Sequence, residues 1–174
     1  MVVRHYGVRL LLLTSSFALL AAVYGVIHDQ ITYSLSPEYY QRFKFIQFGI
    51  GHWLLPERWL VAVTGVMATV WVGALAGLWL GILGYWRPQL FKQRGRMVLT
   101  LLGSAISGGL SGYLAGELWL TEYGINSLQH WIWPGVQAPA AFVLVGFVHA
   151  GSYAGAVVGV LLATILVVRQ QASQ

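Results

Sequence analysis

The sequence predicts an all-α membrane protein of four transmembrane helices, with short interfacial helices on its outer side, in one membrane domain of 174 residues. Three observations predict it. The composition is 57% hydrophobic and 9% charged, whereas soluble domains carry roughly 25% charged residues. Apolar runs at about 7–27, 57–86, 97–120 and 140–168 each reach the roughly 20 residues that cross a hydrocarbon core. The positive charges are also unevenly shared between the two sides that four spans create.

The first span follows Arg4 and Arg9 and runs from about Gly7 to Ile27. A cleaved signal peptide is the rival reading, because a basic start and the small residues Ala18, Ala21 and Ala22 suit one. The apolar run is long for such a segment, which favours a retained helix. The outer segment 28–56 begins with the densest polar stretch of the chain, HDQITYSLSPEYYQRFKFIQF. Within it Ser36-Pro37-Glu38 has the composition of a helix start, with a capping hydroxyl, a proline at the first position and an acid facing the positive helix end. A short helix over about 37–48 is expected, with Tyr39, Phe43, Ile46 and Ile50 along one face.

Gly49, Gly51 and Pro56 interrupt the pattern before the second span, which Trp53, Trp59, Tyr85 and Trp86 flank as interfacial anchors. A basic loop, 87–96, leads to the third span. The outer loop 121–139 is rich in aromatic residues. Asn126 and Gln129 resemble a capping box there, predicting a short helix over 127–133. The fourth span follows Pro139.

Arg4, Arg9, Arg87, Lys92, Arg94, Arg96 and Arg169 lie on one side of this arrangement. Arg42, Lys44 and Arg58 share the other with all five acids, Asp29, Glu38, Glu57, Glu117 and Glu122. The positive-inside rule then puts both termini in the cytoplasm and the 28–56 segment outside. For a bacterial chain the location is the inner membrane. The net charge of +5 and pI near 9.7 therefore reflect topology and predict no nucleic-acid partner. The absence of cysteine excludes disulfides, thiolate metal sites and iron–sulfur clusters. No Walker loop, GxSxG, dinucleotide fingerprint or HExxH pair is present.

The second, third and fourth spans each hold three glycines at spacing four: Gly73, Gly77, Gly81; Gly108, Gly112, Gly116; and Gly151, Gly155, Gly159. Such ridges let helices approach closely in lipid, where dispersion contact replaces water-driven association. They are read first as packing within one chain, with a homo-oligomer as the alternative.

Five polar residues form the candidate ion, proton or ligand site: His28, Asp29, Glu117, His149 and Tyr153. His149 and Tyr153 share a face of the fourth span, and Glu117 lies near the outer end of the third. Polar groups at membrane depth face the bundle interior and often mark ion or proton paths. The structural alternative for His149 is a neutral packing histidine bonded to a neighbouring helix. No cofactor is predicted. Were a metal ion bound, His28, Asp29, Glu117 and His149 would be its ligands.

The outer segment, with H-D-Q-I-T-Y and S-P-E-Y-Y, and the late H-A-G-S-Y-A-G resemble a group of small bacterial four-span membrane proteins without a known activity. The resemblance implies that the two stretches work together. The first functional expectation is a non-enzymatic packing, assembly or accessory component, alone in the bilayer, as a homo-oligomer or in a larger membrane complex. A cation- or proton-handling transporter or sensor subunit is the second, and a metal-dependent membrane enzyme the third.

Overall fold

The computed structural model describes residues 2–86 and 93–169. Its elements are α1 (Val2–Leu35), α2 (Pro37–Tyr39), a π-helical turn (Tyr40–Lys44), α3 (Phe45–Gln47), α4 (Glu57–Trp86), α5 (Arg94–Tyr123), a 3-10 helix (Ile125–Trp131) and α6 (Pro139–Arg169). No strand occurs among the described residues. Among the described residues, four segments are long and apolar enough to cross a membrane: Tyr6–Leu35, Glu57–Gly84, Arg94–Tyr123 and Pro139–Leu166. Of the basic loop expected at 87–96, residues 87–92 lie outside the described residues, as do the side chains of Arg4, Tyr85, Trp86 and Arg169.

The long helices form two close pairs, α1 with α4 and α5 with α6, and α1 also touches α6. Glycine sets both pairings. A Cβ on Gly108 would collide with the Gly151 carbonyl, one on Gly112 with that of Phe147, and one on Gly155 with that of Ser104. The α5 and α6 ridges thus face each other. On α4, Gly73 and Gly77 lie against Phe17 and Thr14 of α1, and Gly81 against Leu10. The same seam continues outward to Gly25 and Gly65, which touch backbone to backbone. Between them Thr69 Oγ1 donates to the Ala21 carbonyl at 2.7 Å.

The outer segment departs from expectation in two ways. First, α1 does not end near Ile27 but continues to Leu35, so His28 and Asp29 are helical residues and not part of a loop. Nothing between Gly25 and Ser36 breaks the helix, and the Thr32 and Ser34 hydroxyls bond back to the His28 and Gln30 carbonyls at 3.0 Å each. Second, the helix expected over 37–48 contains the π turn. One extra residue in that turn rotates everything after it by about 100°. Tyr40, Lys44 and Phe45 therefore turn inward beside Tyr39, while Ile46 is 58% exposed.

Ser36 occupies the N-cap position without making a side-chain cap bond. In the outer loop, Gln129 Nε2 donates to Asn126 Oδ1 at 3.2 Å, so the pair bonds side chain to side chain and the N-cap is Gly124. Two apolar clusters result. Leu13, Phe17, Ala76, Leu80, Met97 and Ala163 fill the end near the termini. Tyr39, Tyr40, Phe45, Ile50, Leu60, Val61, Phe142 and Val145 fill the opposite end.

Candidate cation site

Beside the apolar cluster around Tyr39 and Tyr40, three polar side chains from α1 and α6 converge. Asp29 is 2% exposed and His149 5% exposed. One oxygen of Asp29, Oδ1, lies 3.1 Å from His28 Nδ1 and 3.3 Å from His149 Nε2. The two imidazole rings meet edge to face with centroids 4.7 Å apart. Each ring is also fixed from its other side. His149 Nδ1 lies 2.9 Å from the Val145 carbonyl. A carbonyl only accepts, so Nδ1 carries a hydrogen and a neutral His149 presents a lone pair at Nε2. His28 Nε2 lies 3.1 Å from Ser152 Oγ, which in turn lies 3.2 Å from the Tyr24 hydroxyl.

That geometry sets a charge requirement. The lone pair of His149 Nε2 and the Asp29 carboxylate oxygen would face each other at 3.3 Å in a buried setting, an arrangement that repels. A positive charge between them, whether a proton or a metal ion, turns it into attraction. Asp29 Oδ2 is buried and has no hydrogen-bond partner among the described residues. The Tyr40 hydroxyl approaches this carboxylate and also lies 2.6 Å from Thr32 Oγ1, where either hydroxyl can donate.

A roof of aromatic rings covers the cluster on the side away from the chain termini. Tyr39 stacks on His149 with ring centroids 5.0 Å apart, and Tyr40 approaches the same ring at 6.2 Å. Burial, helped by the Asp29 charge, pushes both phenols far above their ordinary range, so they remain neutral. Lys44 sits over the rings of Tyr39, Phe43 and Phe48 at 5.5–5.8 Å. Burial pushes its ammonium below the ordinary lysine range, against the pull of Asp29.

Glu38 locks this roof to α6. Its two oxygens accept the backbone N–H groups of Gln137 at 2.8 Å and Ala138 at 2.7 Å. The acid thus serves the start of α6, where free N–H groups and the helix dipole favour an anion. On the inward side the cluster opens into a cavity of about 100 Å³, lined by Tyr24, Ser152 and Tyr153 beside apolar side chains of α1, α4, α5 and α6.

Of the residues singled out from sequence, His28, Asp29 and His149 are brought together, and Tyr153 lines the cavity. Glu117 is not brought in. It is exposed on α5 beside Tyr113, and it lines no part of the cavity. Glycine contacts explain why: Gly112 and Gly116 occupy the α6-facing side of that helix, which turns Glu117 outward. Tyr24, Thr32, Ser152 and Tyr40 were not in the expected site. Tyr24 stands four residues before His28, and Ser152 three after His149, so helical spacing alone carried a signal for both.

The fold and the cluster together define a class, a four-helix bundle of apolar helices enclosing a His–Asp–His cluster between two of them. No protein-family model, curated protein or solved structure matches the chain.

Proposed function

We infer that this is a multi-pass membrane protein that handles a cation at the His28–Asp29–His149 cluster, as a transporter or sensor subunit. The observation that supports it is the confrontation of His149 Nε2 with Asp29 Oδ1 at 3.3 Å, which a positive charge must bridge. Polar groups are costly in the membrane interior and are retained there chiefly for ion or proton handling. The cluster lies behind the Tyr39–Tyr40 roof and opens inward to the cavity, so a cation entering from outside has to pass the roof.

In this reading the bilayer is bacterial and cytoplasmic, the termini face the cytoplasm, and the roof faces outward. The glycine ridges act as a zipper that fixes α5 on α6, while His149 meets Asp29 where α6 lies against α1. A role confined to packing or assembly would draw on those ridges but gives the buried carboxylate no purpose.

Nitrogen-15 NMR of histidine-labelled protein in detergent tests the reading. A protonated or metal-coordinated His149 Nε2 at neutral pH is the expected result. A neutral His149 with a bare Nε2 would overturn it.

A further inference from the structure

We propose that the cation is a divalent first-row transition metal, held by His28 Nδ1, the Asp29 carboxylate and His149 Nε2, with its remaining position open to the cavity. The proposal rests on the cation-site reading and names the ion. One donor atom from each of the three residues falls within 4.8 Å of the other two. For metal–ligand bonds of 2.0–2.1 Å, the edge of a tetrahedron is about 3.3 Å. The distances from Asp29 Oδ1 to the two ring nitrogens, 3.1 and 3.3 Å, fit that edge.

Three further features favour a metal over a shared proton. Both imidazoles aim at the same carboxylate oxygen and leave buried Oδ2 without a partner, whereas two hydrogen bonds would be better distributed over two oxygens. Each imidazole has its other nitrogen tied, His149 to the Val145 carbonyl and His28 to Ser152 Oγ. Such outer contacts select the tautomer and orientation of metal-binding histidines. The donor set is two imidazoles and one carboxylate without sulfur, which suits zinc, ferrous iron or manganese and disfavours cuprous ions.

The open position has room. A cavity needs about 10–15 Å³ of space open to a water-sized sphere to hold one water, and this one offers about 100 Å³. One carboxylate and two neutral imidazoles leave a divalent ion with one uncompensated positive charge. A hydroxide or a small carboxylate from the cavity side would neutralise it.

The test uses full-length protein in detergent, stripped by a chelator and titrated with Co²⁺ and Zn²⁺. One equivalent per chain is expected by elemental analysis. Visible Co²⁺ bands of a low-coordinate site and an X-ray absorption shell of nitrogen and oxygen at about 2.0–2.1 Å are expected with it. Asp29→Asn and His149→Gln should lose the metal. Ser152→Ala should bind about 10–100-fold more weakly, as when an outer contact is removed. Glu117→Gln should bind like wild type and serves as the control for surface carboxylates. Folded wild type that takes up neither ion, or His149→Gln that binds a full equivalent, overturns the proposal. Wild type that binds no metal yet shows a protonated His149 Nε2 by NMR retains the cation site and refutes only the metal.

Discussion

The Glu38 carboxylate accepts the backbone N–H of Ala138 at 2.7 Å, across 100 residues of sequence, and so joins the roof over the cluster to the residue that leads into α6. Glu38→Ala is expected to loosen both ends of that contact. Hydrogen exchange at residues 137–142 should accelerate, and so should exchange in the Tyr40–Lys44 turn. Protection unchanged at both places would mean that the roof is held by its aromatic contacts alone.

The same contact carries a pH dependence. Backbone N–H groups of Gln137 and Ala138 hold the Glu38 carboxyl below its ordinary value of 4.5. A carboxyl whose folded value is lowered contributes stability that is present above the unfolded value and is lost as pH falls through the folded one. The difference in Tm between wild type and Glu38→Ala should therefore be constant above about pH 5 and vanish in stronger acid. A difference that grew on acidification would contradict the assignment.

Lys44 acts in the opposite sense. Burial lowers the pKa of its ammonium, so the unfolded chain binds more protons between the folded value and 10.5 and stability rises with pH there. Lys44→Met removes the buried charge while filling similar space. It should be more stable than wild type at neutral pH, with the gap narrowing toward pH 10.5. Thermal unfolding in detergent across that range measures it.

Two glycines of α5 and α6 separate packing from composition. A methyl group on Gly155 would strike the Ser104 carbonyl, whereas one on Gly103 meets nothing within 4 Å. Gly155→Ala should cost about 1–3 kcal/mol as overpacking does, and Gly103→Ala should be neutral or slightly stabilising. Equal Tm values for the two variants would mean that α5 and α6 are not held at this separation.

Topology has a direct chemical readout. A Ser34→Cys variant should react with a membrane-impermeant thiol reagent applied to whole cells, and a Gln93→Cys variant should react only after lysis. The reverse pattern would invert the orientation read from the distribution of basic residues.

The sequence by itself determined the number of long helices and the approximate limits of α4, α5 and α6. Those depend on local quantities: the transfer free energy of about 20 successive side chains and the breaks at Gly49, Gly51, Pro56 and Pro139. It also carried the glycine spacing on α4, α5 and α6, since a spacing of four lies on one helix face whatever that face meets. Tertiary structure decided which face meets which. His149 reaches Asp29 across 120 residues because α6 lies against α1, and the Gly108–Gly151 contact sets the rotation of α5 against α6. The same rotation turns Glu117 outward. The continuation of α1 to Leu35 and the π turn at Tyr40–Lys44 were equally hidden, because hydropathy marks where a chain leaves lipid and not where its helix ends. Glu38 reads in sequence as the acid that complements the positive end of its own short helix, and it serves the start of α6. A carboxylate goes to whichever unsatisfied N–H groups the fold brings near, and those of α6 lie beside it only once the bundle has closed.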